Sequence, residues 1–238
     1  MAYGPAVASH LGKSLKFLVA KRKQPMETIE NIFSKHFELS KLDIGEFAKM
    51  KVGPMKFDIV CYDVKGIGRL SILKGKAMLG LMKTDAMMLT VFTKDVPLFN
   101  YDTIEVMKNE TIMIECYDTL KEKTNYPTLQ AVKDKLKDVP VYESKPAWYD
   151  PIRLNVSIAN KSKKDKALFD ETAEAYLNEF CKIIKEAKGI DPEEKKNLQA
   201  VYVNGLLEHG GASTDVFVKN VGKEKTEELY RKYLFSIE

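Results

Sequence analysis

The spacing of apolar side chains along this chain changes period twice, from helical to alternating and back. From Pro25 to about Glu46, the positions Met26, Ile29, Ile32, Phe33, Phe37 and Leu39 recur at helical spacing, which predicts an amphipathic helix from Met26 to Phe37. Leu11, Leu15, Leu18 and Val19 predict a shorter helix before it, so residues about 1–50 are expected to be mainly helical. Between Pro54 and Thr119 the period becomes two. Phe57, Ile59 and Cys61 alternate with Lys56, Asp58 and Val60, and Ile112, Ile114 and Cys116 alternate with Met113, Glu115 and Tyr117. Alternation bounded by turn residues marks strands with two differently lined faces. Lys65-Gly66-Ile67-Gly68 and Lys108-Asn109-Glu110 supply tight turns, and connections this short favour an antiparallel meander. Beyond Thr119 helical spacing returns over Tyr126–Val139 and Leu168 to Ala187, with one more strand expected over Ala147–Ala159. Asp191 before Pro192 reads as an N-cap followed by proline at the first helical position, and two further helices complete the chain. Six or seven strands flanked by helices predict an α/β protein, a three-layer α/β/α sandwich around an antiparallel sheet. No Gly-, Ser- or Pro-rich linker divides residues 1–238, so a single domain is expected.

Composition narrows the function without naming it. With 45% hydrophobic and 30% charged residues over 238 positions, the chain can build its core without disulfides. Cys61, Cys116 and Cys181 are odd in number and widely spaced, and His10, His36 and His209 are equally scattered, so neither a metal site nor a redox motif is readable. Gly66-Ile67-Gly68 lacks the third glycine and the following helix of a nucleotide loop. The stretch Ser9 to Ala20 has no small-residue cleavage site after it, and no eighteen-residue apolar run occurs, so a cytoplasmic protein without a membrane partner is expected. Net charge is +4. Lys161, Lys163, Lys164 and Lys166, and the cluster Lys219, Lys223, Lys225, Arg231 and Lys232, are either solvated faces or a docking patch for an acidic partner. Interleaved acids argue against nucleic acid.

The most chemically loaded stretch is Asp95-Val96-Pro97-Leu98-Phe99-Asn100-Tyr101-Asp102, followed by Thr103-Ile104-Glu105-Val106. Proline is tolerated at the mouth of a strand, whereas a carboxylate inside it must reach solvent or be supported in a pocket. This D-x-P-x-F-x-x-D pattern resembles the acid-bearing strand of the ferredoxin-dependent bilin reductases. Further pieces follow in that family's order. They are Thr111–Tyr117 as the returning strand, Trp148 in Pro146-Ala147-Trp148-Tyr149, Tyr176-Leu177-Asn178-Glu179-Phe180, Gln199-Ala200-Val201-Tyr202, and the glycine-led run from Gly222 to Leu234-Phe235. Together they span roughly Met87 to Phe235. One departure stands out. The family commonly carries a histidine on the strand before the acid, and here Ala86-Met87-Met88-Leu89-Thr90-Val91-Phe92 has none. That proton-relay half is also absent in relatives such as red chlorophyll catabolite reductase.

The resemblance implies reduction of a linear tetrapyrrole or a similar flat conjugated ligand. Electrons would come singly from a ferredoxin or flavodoxin, no cofactor would be resident, and Asp102 would be the proton donor. Such a carboxyl needs a raised pKa, which an apolar wall provides by penalising the charged form. Glu115 either joins Asp102 on a pocket face or is exposed, and exposure is the favoured reading. Met88 with Met78, Met82 and Met87 could line a flat pocket, Phe99 would wall it, and Arg69, Lys76 or Arg153 could hold propionates. The alternative is a non-catalytic binding protein of the same fold, which the missing histidine favours.

Overall fold

The computed structural model describes residues 28–211 and 213–238. Met26, the shorter helix expected at Leu11–Val19 and the stretch Ser9 to Ala20 lie outside the described residues. Helix α1 spans Ile29–Ser34 and is capped by the Thr28 hydroxyl, which accepts from the Asn31 amide at 3.3 Å. It is followed not by further helix but by two short strands, β1 (Leu39–Lys41) and β2 (Lys49–Val52), around a single turn of 3-10 helix at Gly45–Ala48. The expectation of a helical segment over about 1–50 therefore fails beyond Ser34. Met50 and Val52 are buried while Lys49 and Lys51 are exposed, and that period-two pattern is what a strand needs.

Five long strands then form the predicted meander: β3 (Met55–Val64), β4 (Gly68–Ala77), β5 (Met82–Val91), β6 (Leu98–Val106) and β7 (Asn109–Tyr117). Among the described residues the sheet has eight strands in the order β1-β3-β4-β5-β6-β7-β8, the last being Ile158–Ser162, and β2 shares the β3 edge with β1. Every pairing is antiparallel. The β6–β7 hairpin closes on two residues, Met107 (φ 49°) and Lys108 (φ 66°), one position earlier than the sequence suggested. Strand β8 is only Ile158–Ser162, not Ala147–Ala159. Pro151 lacks a ladder donor, and Asp150, accepting from the Ala147 amide at 2.8 Å, bends 147–150 into a turn instead.

Side chains alternate between the two sheet faces and build two apolar clusters. One joins Leu70, Met87, Phe99, Tyr101 and Ile114 to α1 and to α3 (Lys166–Glu186) through Phe33, Phe169, Tyr176 and Phe180. The other joins Ile59, Leu73, Leu98 and Tyr117 to α4 (Pro192–His209), α5 (Thr214–Val221) and the chain end through Tyr202, Phe217, Tyr230 and Phe235. Asp191 caps α4 as its sequence predicted, accepting from the Glu194 amide at 2.9 Å. Helix α2 (Pro127–Lys133) is shorter than Tyr126–Val139 because it tightens into 3-10 turn at Asp134–Leu136. After α6 (Lys223–Glu228) the helix widens into a π turn, Leu229–Leu234. Its last carbonyls are taken up by the sheet: Ser71 donates to Leu234 at 2.9 Å and Thr90 to Phe235 at 2.9 Å. Among the described residues no helix is long and apolar enough to cross a membrane.

Candidate functional site

Strand β6 lies between β5 and β7, so its side chains have neighbours on both flanks. Leu98, Asn100, Asp102 and Ile104 point to the α4–α5 side, and Phe99, Tyr101 and Thr103 to the α1–α3 side, because side chains alternate along a strand. In register, Asp102 stands between Ala86 of β5 and Met113 of β7, and Asn100 between Met88 and Glu115. Ala86, Met88, Asp102, Ile104, Met113 and Glu115 all keep partial exposure, whereas Met87, Phe99, Tyr101, Ile112 and Ile114 on the other face are buried. This open part of the sheet face is the candidate site.

Asp102 is the electrostatic centre of it. Burial pushes its pKa up to about 7, and the negative charge of Glu115 adds to the rise. The residue as a whole nevertheless keeps partial exposure. Glu115 belongs to the same face and its side chain is only 15% exposed, which corrects the favoured expectation that it would be exposed. Burial raises its pKa too, opposed by the Tyr117 hydroxyl, which donates to Oε2 at 2.8 Å, and by Arg153, whose Nε lies 3.1 Å from Oε1. Arg153 is also held by Asp150 at 2.6 Å and lies over the Tyr149 ring.

Aromatic side chains from strand, loop and helix form a wall beside the acids. Tyr117 stacks on Tyr202 of α4 with ring centroids 4.2 Å apart, and Tyr149 meets Tyr117 edge-on. Trp148 packs edge-on to Tyr149 and donates from Nε1 to the Gly210 carbonyl at 2.9 Å. Helix α4 admits that indole because position 205 is glycine, where a Cβ would fall 2.2 Å from Trp148 Cη2. Asn100 donates from Nδ2 to the Tyr202 hydroxyl at 3.1 Å, while its buried Oδ1 has no hydrogen-bond partner among the described residues. Unpaired buried acceptors are uncommon, and this one is next to Asp102 on the open face.

The structure thus gathers Asp102, Glu115, Met88 and Arg153 on one side of the sheet and leaves Phe99, Arg69 and Met87 out of the site. Phe99 is on the opposite face, fully buried and stacked on Phe180 at 4.5 Å, because it is three residues from Asp102 and odd spacings reverse the side of a strand. Arg69 is committed to the chain end, donating to the carbonyls of Tyr233 at 3.2 Å and Lys232 at 3.4 Å. Met87 likewise faces the α1–α3 core. Asn100, Tyr117 and Tyr202 were not singled out as site residues. Asn100 was legible by parity, being two positions before Asp102, whereas Tyr202 reaches the site only through packing of α4. Asp95, the first acid of the motif, is not in the site. It pairs with Lys195 at 3.1 Å and borders a separate recess of about 360 Å³ lined by Val96, Tyr126, Ile183 and Lys188.

Chemically, a carboxyl with a pKa near neutrality can give or take a proton at ordinary pH. An unpaired amide oxygen beside it can accept an N–H, and a wall of rings favours a flat conjugated ligand. Among the described residues no cluster of histidine, cysteine and acids could hold a metal ion.

No family model matches the chain. Over 54 residues, 23% of its length, it is 46% identical to chemotaxis protein methyltransferases from two strains of Campylobacter jejuni. That stretch is 20% of those proteins, so the chain spans about a fifth of the length of the curated relatives it matches. Among solved structures it is similar to phytochromobilin synthase from tomato in complex with biliverdin. The TM-score is 0.72 at 13% identity, covering 88% of this chain and 80% of that one. The likeness is one of fold.

Proposed function

We propose that this protein binds a linear tetrapyrrole, or a flat conjugated molecule like it, against the open face of β5–β7 and reduces it. The observation that carries the reading is Asp102. It is a partly buried carboxyl with a pKa pushed up to about 7, in a fold similar to that of a protein solved with biliverdin. Helices packed on both faces support describing the fold as a three-layer α/β/α sandwich of that kind. Reduction of one ligand double bond consumes two electrons and two protons. Electrons arrive singly from an external acidic carrier such as a ferredoxin or flavodoxin. Asp102 delivers one proton, solvent at the partly exposed sheet face supplies the second, and the same solvent reprotonates Asp102. Asn100 Oδ1 accepts from a pyrrole N–H, and the Tyr117–Tyr202–Trp148 wall excludes water from the face of the ligand. Arg153 is the cation in contact with Glu115, but Asp150 also occupies it, so a ligand carboxylate must displace Asp150.

Titration with biliverdin tests the binding step. A saturable, red-shifted absorbance change at micromolar protein is expected, and no change with biliverdin or related linear tetrapyrroles would remove the tetrapyrrole reading. A second reading, a binding protein without turnover, is favoured by one observation: no histidine occurs between His36 and His209 to share protons with Asp102. Tight binding with no reduction by a reduced ferredoxin would establish it.

A further inference from the structure

One end of the sheet carries three features that the fold does not require. The β4–β5 connection, Met78-Leu79-Gly80-Leu81, and the β6–β7 turn, Met107-Lys108, lie side by side, joined by a hydrogen bond from the Met107 amide to the Leu81 carbonyl at 3.0 Å. Leu79 is fully exposed, Met107 is 70% exposed, and Met78 and Leu81 are each 57% exposed. Met78, Leu79 and Met107 have φ between 49° and 55°, a region that side chains with a Cβ enter at a cost and that glycine or asparagine enters freely. A two-residue hairpin of this geometry ordinarily takes Asn-Gly. Large apolar residues stand here against both solvation and backbone preference.

The third feature is electrostatic. Lys51, Lys56, Lys76 and Lys83 occupy directly opposed positions on β2, β3, β4 and β5, and all four are exposed. None has an ion-pair partner among the described residues. The row ends on Glu105, opposite Lys83. Like charges directly opposed across strands are unfavourable. The next row inward, Lys49–Asp58–Lys74–Asp85, alternates in sign as cross-strand pairing favours, so the all-lysine row is a local departure. Lys76 and Lys83 are each two residues from the apolar loop, and Lys108 adjoins Met107.

We propose that this end of the sheet adheres to an anionic lipid bilayer, Leu79, Met78, Leu81 and Met107 entering the interface and the lysines meeting headgroup phosphates. An apolar protrusion flanked by unpaired cations matches such a surface in both chemistry and shape. At the ~4.8 Å spacing of strands, the four lysines form a line about 14 Å long, spanning more than one headgroup. A convex tip buries little area against another protein unless that protein is hollowed to receive it, whereas fluid acyl chains close around it. Adhesion of this kind needs no membrane-spanning helix and asks nothing of Asp102.

The test is co-sedimentation of the full chain with phosphatidylcholine vesicles made with and without phosphatidylglycerol. Binding is expected only with phosphatidylglycerol, and is expected to weaken as salt rises. Lys56→Gln and Lys76→Gln should each weaken it about fivefold. Leu79→Ser with Met107→Ser should abolish it, with the melting temperature unchanged because these side chains support no core. Equal partition onto both vesicle types, or none onto either, overturns the proposal. So does concentration-dependent self-association that the Leu79→Ser, Met107→Ser variant removes, since the tip would then be a protein interface.

Discussion

Asp102 and Glu115 stand on adjacent strands of one sheet face, Glu115 two residues beyond the Met113 that faces Asp102, and the charge of Glu115 resists ionisation of Asp102. Diagonal neighbours at this offset have their Cβ atoms about 7 Å apart, near enough for two carboxylates to feel each other in a half-buried site. Burial raises Asp102 further than this charge does, and the two together make stability depend on pH. Asp102 rises from an ordinary 3.8 to about 7 in the fold. Below roughly pH 4 it is protonated in both folded and unfolded chains. Between roughly pH 4 and 7 the unfolded chain has released a proton that the folded chain keeps, so stability falls as pH rises through this window. Asp102→Asn removes that slope. The variant should match wild type near pH 4 and exceed it by about 2–4 kcal/mol at pH 8 in urea unfolding. Parallel pH profiles for the two proteins would mean Asp102 is ordinarily acidic.

Turnover should read the same group. In anaerobic reduction of biliverdin by ferredoxin and its reductase, Asp102→Asn is expected to bind the ligand yet lose about 10²–10⁴-fold in rate, the usual cost of a missing general acid. For wild type the rate should decline above about pH 7, as the carboxyl ionises. Glu115→Gln takes away only the smaller cause of the lift on Asp102, burial being the larger, and should move this limb part of the way to lower pH. Equal rates for wild type and Asp102→Asn would remove Asp102 from the chemistry.

How much of this the sequence reveals depends on whether a feature is local. Period-two alternation in Phe57–Cys61 and Ile112–Tyr117 identified the meander, because a sheet buried on both faces still alternates between two different cores. The cap at Asp191 and the proline after it located α4 for the same reason: both act within one turn. Site membership was legible only as far as strand parity reaches. Parity puts Asn100 with Asp102 and separates Phe99 from it, yet the D-x-P-x-F-x-x-D motif joins the two in one string. Asp95 opens that string and serves α4 instead. Tyr202 and the occupation of Arg69 by the chain end depend on contacts across more than a hundred residues, which no spacing rule reports.

The Asp95–Lys195 pair should break asymmetrically. Lys195 is 0% exposed and Asp95 10% exposed, and the ammonium also donates to the Thr119 carbonyl at 2.7 Å. Asp95 additionally accepts from the amides of Lys121 and Glu122, each at 3.0 Å. Asp95→Ala strands a sealed cation, while the two exposed amides turn to water, and about 3–5 kcal/mol of stability should be lost. Lys195→Met leaves the carboxylate with both amides and some water, and fills the same volume with apolar atoms, so a loss nearer 1 kcal/mol is expected. Denaturant unfolding of the two variants checks the order. A larger loss for Lys195→Met would show that the carboxylate, not the lysine, is the group that cannot stand alone.

Gly205 gives the sharpest test of the aromatic wall. Glycine inside a helix ordinarily costs about 0.5–1 kcal/mol relative to alanine, so Gly205→Ala would stabilise α4 if space allowed. Space does not allow it, since the added Cβ falls 2.2 Å from Trp148 Cη2 and 2.6 Å from both Cζ2 and Cζ3. The indole must leave its place, giving up the bond to the Gly210 carbonyl and the edge contact with Tyr149. Overpacking of this kind costs about 1–3 kcal/mol, which exceeds the helical gain. Trp148 is the sole tryptophan in the chain, so its emission reports the displacement directly and should shift to the red. The double variant separates clash from propensity. In a Trp148→Ala background the obstacle is gone, and Gly205→Ala should then stabilise by about 0.5–1 kcal/mol. Destabilisation of the same size in both backgrounds, with no change in emission, would show that Gly205 serves something other than the seat of Trp148.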